Sequence, residues 1–190
     1  MSMLRATILA GIGAVAASVA GPAAQSGYPQ RLDFGTTPSP EELARFFAIP
    51  PEGTGLGPGK GGYAEGKKVY AENCAACHGD KLEGIIQPEL RGDKLIGGRG
   101  TLTTPTAIKT VESYWPYATT LFDFVKRAMP MPAPGSLSDN QVYAVVAYIL
   151  AEAKIIDTSA VLDAATLPKV AMPNRDGFVG DPRPEIELYR

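Results

Sequence analysis

The chain's two cysteines and its single histidine fall in one stretch, Cys74-Ala75-Ala76-Cys77-His78. Several chemistries use thiols at this spacing. A structural zinc site needs about four ligands, usually Cys and His, and this chain has only these three residues of those types, crowded together. A thioredoxin-like dithiol belongs at a strand-to-helix turn, yet no strand is legible before Cys74, and His78 would have no role. A disulfide across two residues closes too small a loop to stabilise much. What is left is covalent attachment of c-type haem, for which Cys-x-x-Cys-His is the signature. At a helix end, thiols at this spacing can reach the two vinyl groups along one haem edge, and the next residue presents its imidazole to the iron. The spacing therefore predicts one covalent haem c, with thioether bonds from Cys74 and Cys77 and an axial bond from His78.

The same count restricts the second axial ligand. With His78 engaged, no histidine remains for the other face; methionine is the common alternative and raises the reduction potential. Of the five methionines, Met1 and Met3 lie in the N-terminal leader. Met129 and Met131 sit in the loop RAMPMPAPGS, whose prolines stiffen it between two predicted helices. Met172 lies further on. Met129 is the expected ligand, with Met131 as the alternative and Met172 behind both. A proximal imidazole also needs an acceptor for its other ring nitrogen, and the expected one is the carbonyl of Pro88 in GIIQPELRG, unless that proline only shapes a turn. Tyr114, Trp115 and Tyr117 are candidates for the haem wall, Trp115 with an N–H to offer a propionate. Arg91 and Arg99 are candidates for neutralising propionates.

These residues need elements to hold them. The periodicity of Tyr63, Gly66, Val69, Tyr70 and Asn73 predicts a helix that ends at the thiol motif. A glycine-rich loop region follows over roughly 79–110. Leu121, Phe124, Val125 and Ala128 mark a second helix, stopped by Pro130, Pro132 and Pro134. The third is the clearest: Ser138 with Gln141 three residues on forms a capping box, and Val142, Val145, Val146 and Ile149 share one face with Tyr148 beside them. No strand or repeat is apparent. The expected organisation is a signal peptide at 1–23, a Gly/Pro-rich arm at 24–59, a haem-binding domain at 60–155 and an extended tail at 156–190.

The leader has Arg5 followed by an apolar run from Ala6 to Ala17 and small-residue cleavage sites ending at Ala20 and Ala23. That is a general secretory signal, too short for a confident membrane span, and it predicts a periplasmic protein with no span after cleavage. Within the arm, Ser39-Pro40-Glu41-Glu42 reads as a helix start, with Leu43, Phe46 and Phe47 on its apolar face. Composition is that of a globular protein, 45% hydrophobic and 20% charged, with a net charge of -2 and no basic stripe. Nucleic acid is excluded as a partner on that ground.

Taken together, a helix carrying CAACHG, a Pro-Glu-Leu loop, a Met-Pro loop and a last helix with VVAYIL resemble class I c-type cytochromes over roughly residues 60–155. The resemblance implies an all-α fold of about three core helices around one haem, here with long irregular extensions. A narrower likeness lies in TVESYWPYATTLFDFVKRAMP, in the tail run LPKVAMPNRDGF and in the lead-in IPPEGTGLGPGKG. These look like the monohaem cytochrome subunits of bacterial sulfite and sulfane dehydrogenases of the sulfur-oxidising (Sox) type. That likeness implies an electron-transfer subunit rather than a catalyst on its own. It would accept electrons from a molybdenum-containing dehydrogenase subunit in a hetero-oligomer and pass them to a downstream cytochrome or other acceptor. It also favours Met129, the usual ligand position before the proline, and marks Met131 as a departure. With no spare cysteine to ligate molybdenum, the chain leaves sulfur chemistry to another subunit. Two other readings stand beside it: a free-standing periplasmic shuttle cytochrome, and a catalytic haem enzyme with an exchangeable distal ligand.

Overall fold

A computed structural model describes residues 35–37, 39, 48–89 and 91–180. The chain divides into two compact units, Met1–Thr37 and Pro38–Arg190, and every helix and strand described belongs to the second. The leader, the helix expected from Pro40 to Phe47 and the last ten positions of the tail lie outside the described residues. No helix among the described residues is long and apolar enough to cross a membrane.

In chain order the elements are β1 (Lys60–Gly62), α1 (Tyr63–Asn73), α2 (Ala75–His78), β2 (Ile85–Ile86), β3 (Arg91–Gly92), α3 (Ala118–Ala128), α4 (Asp139–Glu152) and β4 (Val161–Asp163), with a 3-10 turn at Leu167–Lys169. Helix α4 is the axis of the fold. Its start carries the expected box: Ser138 Oγ accepts from the Gln141 N–H, and Gln141 Oε1 accepts from the Ser138 N–H at 2.9 Å. The sequence pattern gave α4 one apolar face, but every residue from Val142 to Ala151 is buried. A helix apolar all round is one enclosed on all sides, and here α1, α3 and β1 all pack on it.

The α1–α4 crossing is close because α1 has a glycine there. A Cβ on Gly66 would stand 1.9 Å from the Ala144 carbonyl oxygen. Around that contact, Tyr148 meets the rings of Tyr63 and Tyr70 at centroid distances of 5.3 and 5.1 Å. Tyr63 O–H donates to Glu152 Oε1 at 2.5 Å, which pushes the Tyr63 phenol up to about 12 because losing its proton beside a carboxylate is unfavourable. On another side, Phe122 of α3 packs on Tyr143 at 4.5 Å. Helix α3 stops where Pro130 denies Met129 the helical conformation: Met129 is extended, with φ -122° and ψ 149°.

The expectation of no strand is corrected by two short antiparallel pairs. In one, β1 pairs with β4 in the register Lys60↔Asp163; in the other, β2 pairs with β3 in the register Ile86↔Arg91. Strands of only two or three residues, β1 and β3 with glycine among them, have no alternation to read. Through the first pair the tail joins the core, where Leu162, Leu167 and Met172 are buried. The arm also docks: Ile49 N–H donates to Asp123 Oδ1 at 3.2 Å and Tyr143 O–H to the Gly57 carbonyl at 3.0 Å, and where the arm meets β1 the Lys60 N–H donates to Asn140 Oδ1 at 2.8 Å.

Among the described residues, one buried side-chain polar group is without a hydrogen-bond partner. Thr119, at the start of α3, is 1% exposed, and its Oγ1 makes no hydrogen bond. A hydroxyl taken out of water without compensation is destabilising. Thr119→Val replaces it with a methyl group of similar size and is expected to stabilise the protein by about 1 kcal/mol. The check is a higher denaturant midpoint at unchanged slope; a lower midpoint would mean that the hydroxyl is satisfied after all.

Candidate haem site

The thiol motif begins where α1 breaks. Cys74 leaves helical geometry with φ -127°, although its N–H still donates to the Tyr70 carbonyl at 2.9 Å. Its own carbonyl then accepts from Cys77 N–H at 3.1 Å and His78 N–H at 2.9 Å, which starts α2. Instead of one helix ending at the motif, a short second turn therefore carries Cys77 and His78 together. This turn is fastened from behind. Tyr70 O–H donates to the Gly79 carbonyl at 2.7 Å, and Gly84 N–H to the His78 carbonyl at 2.8 Å. Burial holds the Tyr70 phenol above its usual range, so it remains a donor.

His78 is oriented by a backbone group. Its Nδ1–H donates to the Asp93 carbonyl at 2.7 Å, leaving the Nε2 lone pair available to a metal. The expected acceptor, Pro88, is displaced from this role: it is exposed on the bend between β2 and β3. The hairpin that carries Pro88 outward returns through β3 and lays Asp93, the next residue, against His78. Gly92 allows this approach, since a Cβ there would stand 2.2 Å from the Cys77 carbonyl oxygen.

Both thiols and His78 line a cavity of about 490 Å³. That is within the ~300–1,000 Å³ of ordinary cofactor sites. Its walls are mostly apolar: Leu95 and Val111 from the loops, Leu121, Phe124 and Val125 from α3, Val145 and Ile149 from α4. Two thiols and one imidazole at the edge of an apolar cavity of this size fit a large, flat, mostly apolar group held covalently along one side. They fit a redox dithiol poorly. Burial, and then the neighbouring Cys77, push the Cys74 thiol up to about 11, whereas an attacking thiol in such a pair needs its pKa lowered.

Three methionines were candidates for the opposite ligand, and they differ in where the structure places them. Met129 lines the cavity and is half-buried against the core. Met131 also touches the cavity but is 69% exposed. Met172 is 4% exposed in the core and is not part of the lining. Trp115 lines the cavity and meets Phe124 edge-on at 5.6 Å. Tyr114 and Tyr117 do not line it; Tyr114 faces Phe178 of the tail at 5.2 Å and carries Lys109 Nζ over its ring at 5.1 Å. Of the two arginines, Arg91 lines the cavity and Arg99 does not. Arg99 is taken up by Glu112 at 2.7 Å and by the Ala153 carbonyl at 2.7 Å. Sequence reasoning missed the Asp93 carbonyl because a backbone acceptor leaves no mark in residue type. Gly92, within the RGD run, was the one available hint of a close backbone approach.

Known proteins place this arrangement. The cytochrome c family model matches residues 63–152. The chain is similar to the thiosulfate dehydrogenase of Stutzerimonas stutzeri, 35% identical over 99 residues, which make up 47% of this chain and 28% of that protein. It is also similar to the thiosulfate dehydrogenase of Psychrobacter arcticus, 32% identical over 117 residues, or 54% of this chain and 31% of that one. The chain thus spans less than a third of the curated relatives it matches. Among solved structures it is similar to a chain of the sulfane dehydrogenase SoxCD from Paracoccus pantotrophus, with a TM-score of 0.71 and 38% identity, covering 84% of this chain and 77% of that one.

Proposed function

The chain belongs to the cytochrome c family, and from that premise we propose that it is a periplasmic electron-transfer subunit serving a molybdenum-containing dehydrogenase of sulfite or sulfane sulfur. Its cofactor is covalent haem c, which when bound supplies a one-electron couple at iron. In this reading Cys74 and Cys77 would hold the haem through thioether bonds, and His78 Nε2 and the Met129 thioether would be the protein's donors to its iron. The Asp93 carbonyl fixes the His78 tautomer and ring plane. Leu95, Val111, Val145 and Ile149 keep water from the site, and Arg91 offers a cation at the cavity wall. Phe124, 45% exposed, and Met131 carry the lining out to the surface, where a partner's redox centre could come near.

The observation that carries the partner reading is the reach of the likeness to the sulfane dehydrogenase chain. It covers 84% of this chain, well beyond the haem-binding stretch 63–152. A free shuttle would share that stretch but needs neither the docked arm nor the tail strand. The test is mild purification of the tagged protein from its own host. Molybdenum and a second, larger subunit are expected to co-elute with haem. Elution at the size of one chain without molybdenum, together with unchanged sulfite and sulfane oxidation in a deletion strain, would remove the proposal.

A second reading draws on the two thiosulfate dehydrogenases: a catalytic haem site with an exchangeable distal ligand. Cyanide separates the two. Rapid, tight binding to the oxidised protein favours the catalytic site, and slow binding favours the closed electron-transfer site.

A further inference from the structure

Lys126 ties together the two ends of the loop that carries Met129. It sits in the last turn of α3, three positions before Met129. Its ammonium lies 2.8 Å from Asp139 Oδ1, at the first residue of α4, and donates to the Leu137 carbonyl at 3.1 Å. The loop between has little else to close it, because Pro130, Pro132 and Pro134 remove backbone donors. Its internal bonds are the short-range ones from Ala133 N–H to the Pro130 carbonyl at 2.9 Å and from Ser136 N–H to the Ala133 carbonyl at 3.3 Å.

Asp139 is backed by the arm, since a Cβ on Gly57 would stand 2.1 Å from its carboxylate. The Lys126 and Asp139 side chains are 34% and 24% exposed, so water screens the pair less than an open surface pair. Leu137, which supplies the carbonyl, is buried and lines the same cavity as Met129.

We propose that Lys126 is a positioning residue for the distal methionine. By bridging Leu137 and Asp139 it holds the loop shut and keeps the Met129 thioether in the cavity against competing ligands. The inference rests on Met129 being the distal ligand.

The test follows imidazole binding to the oxidised holoprotein by loss of the methionine–iron absorption band. Lys126→Leu is expected to speed uptake about fivefold, the scale of losing one partly shielded ion pair that holds a closed state, with covalent haem content unchanged. Asp139→Asn should act in the same direction by a smaller factor, and Lys126→Arg should stay near the parent rate. Arg99→Leu is the control for general destabilisation: it removes the contacts to Glu112 and the Ala153 carbonyl, away from the loop. It is expected to lower Tm without faster uptake. Unchanged uptake in Lys126→Leu, or an acceleration that Arg99→Leu matches, overturns the positioning role. Met129→Ala is measured alongside. If it retains the band, the ligand assignment itself fails; if it loses the band while Lys126→Leu leaves uptake unchanged, only the positioning role fails.

Discussion

Replacing Met129 with alanine is expected to abolish the methionine–iron absorption of the oxidised protein and to lower its reduction potential by about a tenth of a volt or more. Axial ligation is one of the main levers on haem potentials, which span roughly 0.8 V, and thioether sulfur on iron raises them. The argument for Met129 is positional. It is already half-buried in the cavity at the point where Pro130 ends α3. Met131, 69% exposed, would first have to draw its side chain out of water. Met131→Ala should therefore keep both the band and the potential. Met172→Ala should keep the band but cost about 2–5 kcal/mol of stability, as buried methionine truncations do. Survival of the band in Met129→Ala, with loss in either of the others, would reassign the ligand.

Gly66→Val is expected to destabilise the fold by about 3 kcal/mol or more, and to reduce the yield of haem-loaded protein with it. On an exposed helix, replacing glycine would help slightly, because glycine is a poor helix former. Here the added Cβ would stand 1.9 Å from the Ala144 carbonyl oxygen and 2.5 Å from its carbon, both backbone atoms of the buried axis helix. Neither can swing aside as a side-chain tip would. The two helices must move apart, loosening the Tyr63–Tyr148 and Tyr70–Tyr148 contacts and the helix that leads into Cys74. Equilibrium denaturation of the holoprotein decides it: a midpoint equal to that of the parent would mean that the crossing has slack.

The site was legible where side-chain identity carries the chemistry. Cys74, Cys77 and His78 could be assigned to one site by counting, because the chain offers no other thiol or imidazole, and all three line one cavity. The helices α1, α3 and α4 were legible from apolar spacing, and the start of α4 from its two capping residues. What stayed hidden depended on the backbone or on long-range packing. The Asp93 carbonyl reaches His78 only because the β2–β3 hairpin folds back, and nothing in Pro88 or Asp93 says which carbonyl arrives. Lys126 is an unremarkable cation on the outer side of a helix until Leu137 and Asp139 are brought beside it. The tail looked like an appendage because its prolines outweigh Leu162, Leu167 and Met172, three scattered apolar residues that all prove to be buried.

The pairing of β1 with β4 has a consequence for the order in which the chain can fold. Lys60 and Asp163 are neighbours in space but roughly a hundred residues apart in sequence, and closing so long a loop is an entropic cost met late, after shorter contacts have formed. Helix α4 also finds its partner α1 across most of that distance, with Tyr63 and Glu152 separated by 89 positions. A nascent chain therefore exposes Cys74 and Cys77 long before the residues that seal the far side of the fold are available. The attachment motif comes early in a domain whose topology closes last.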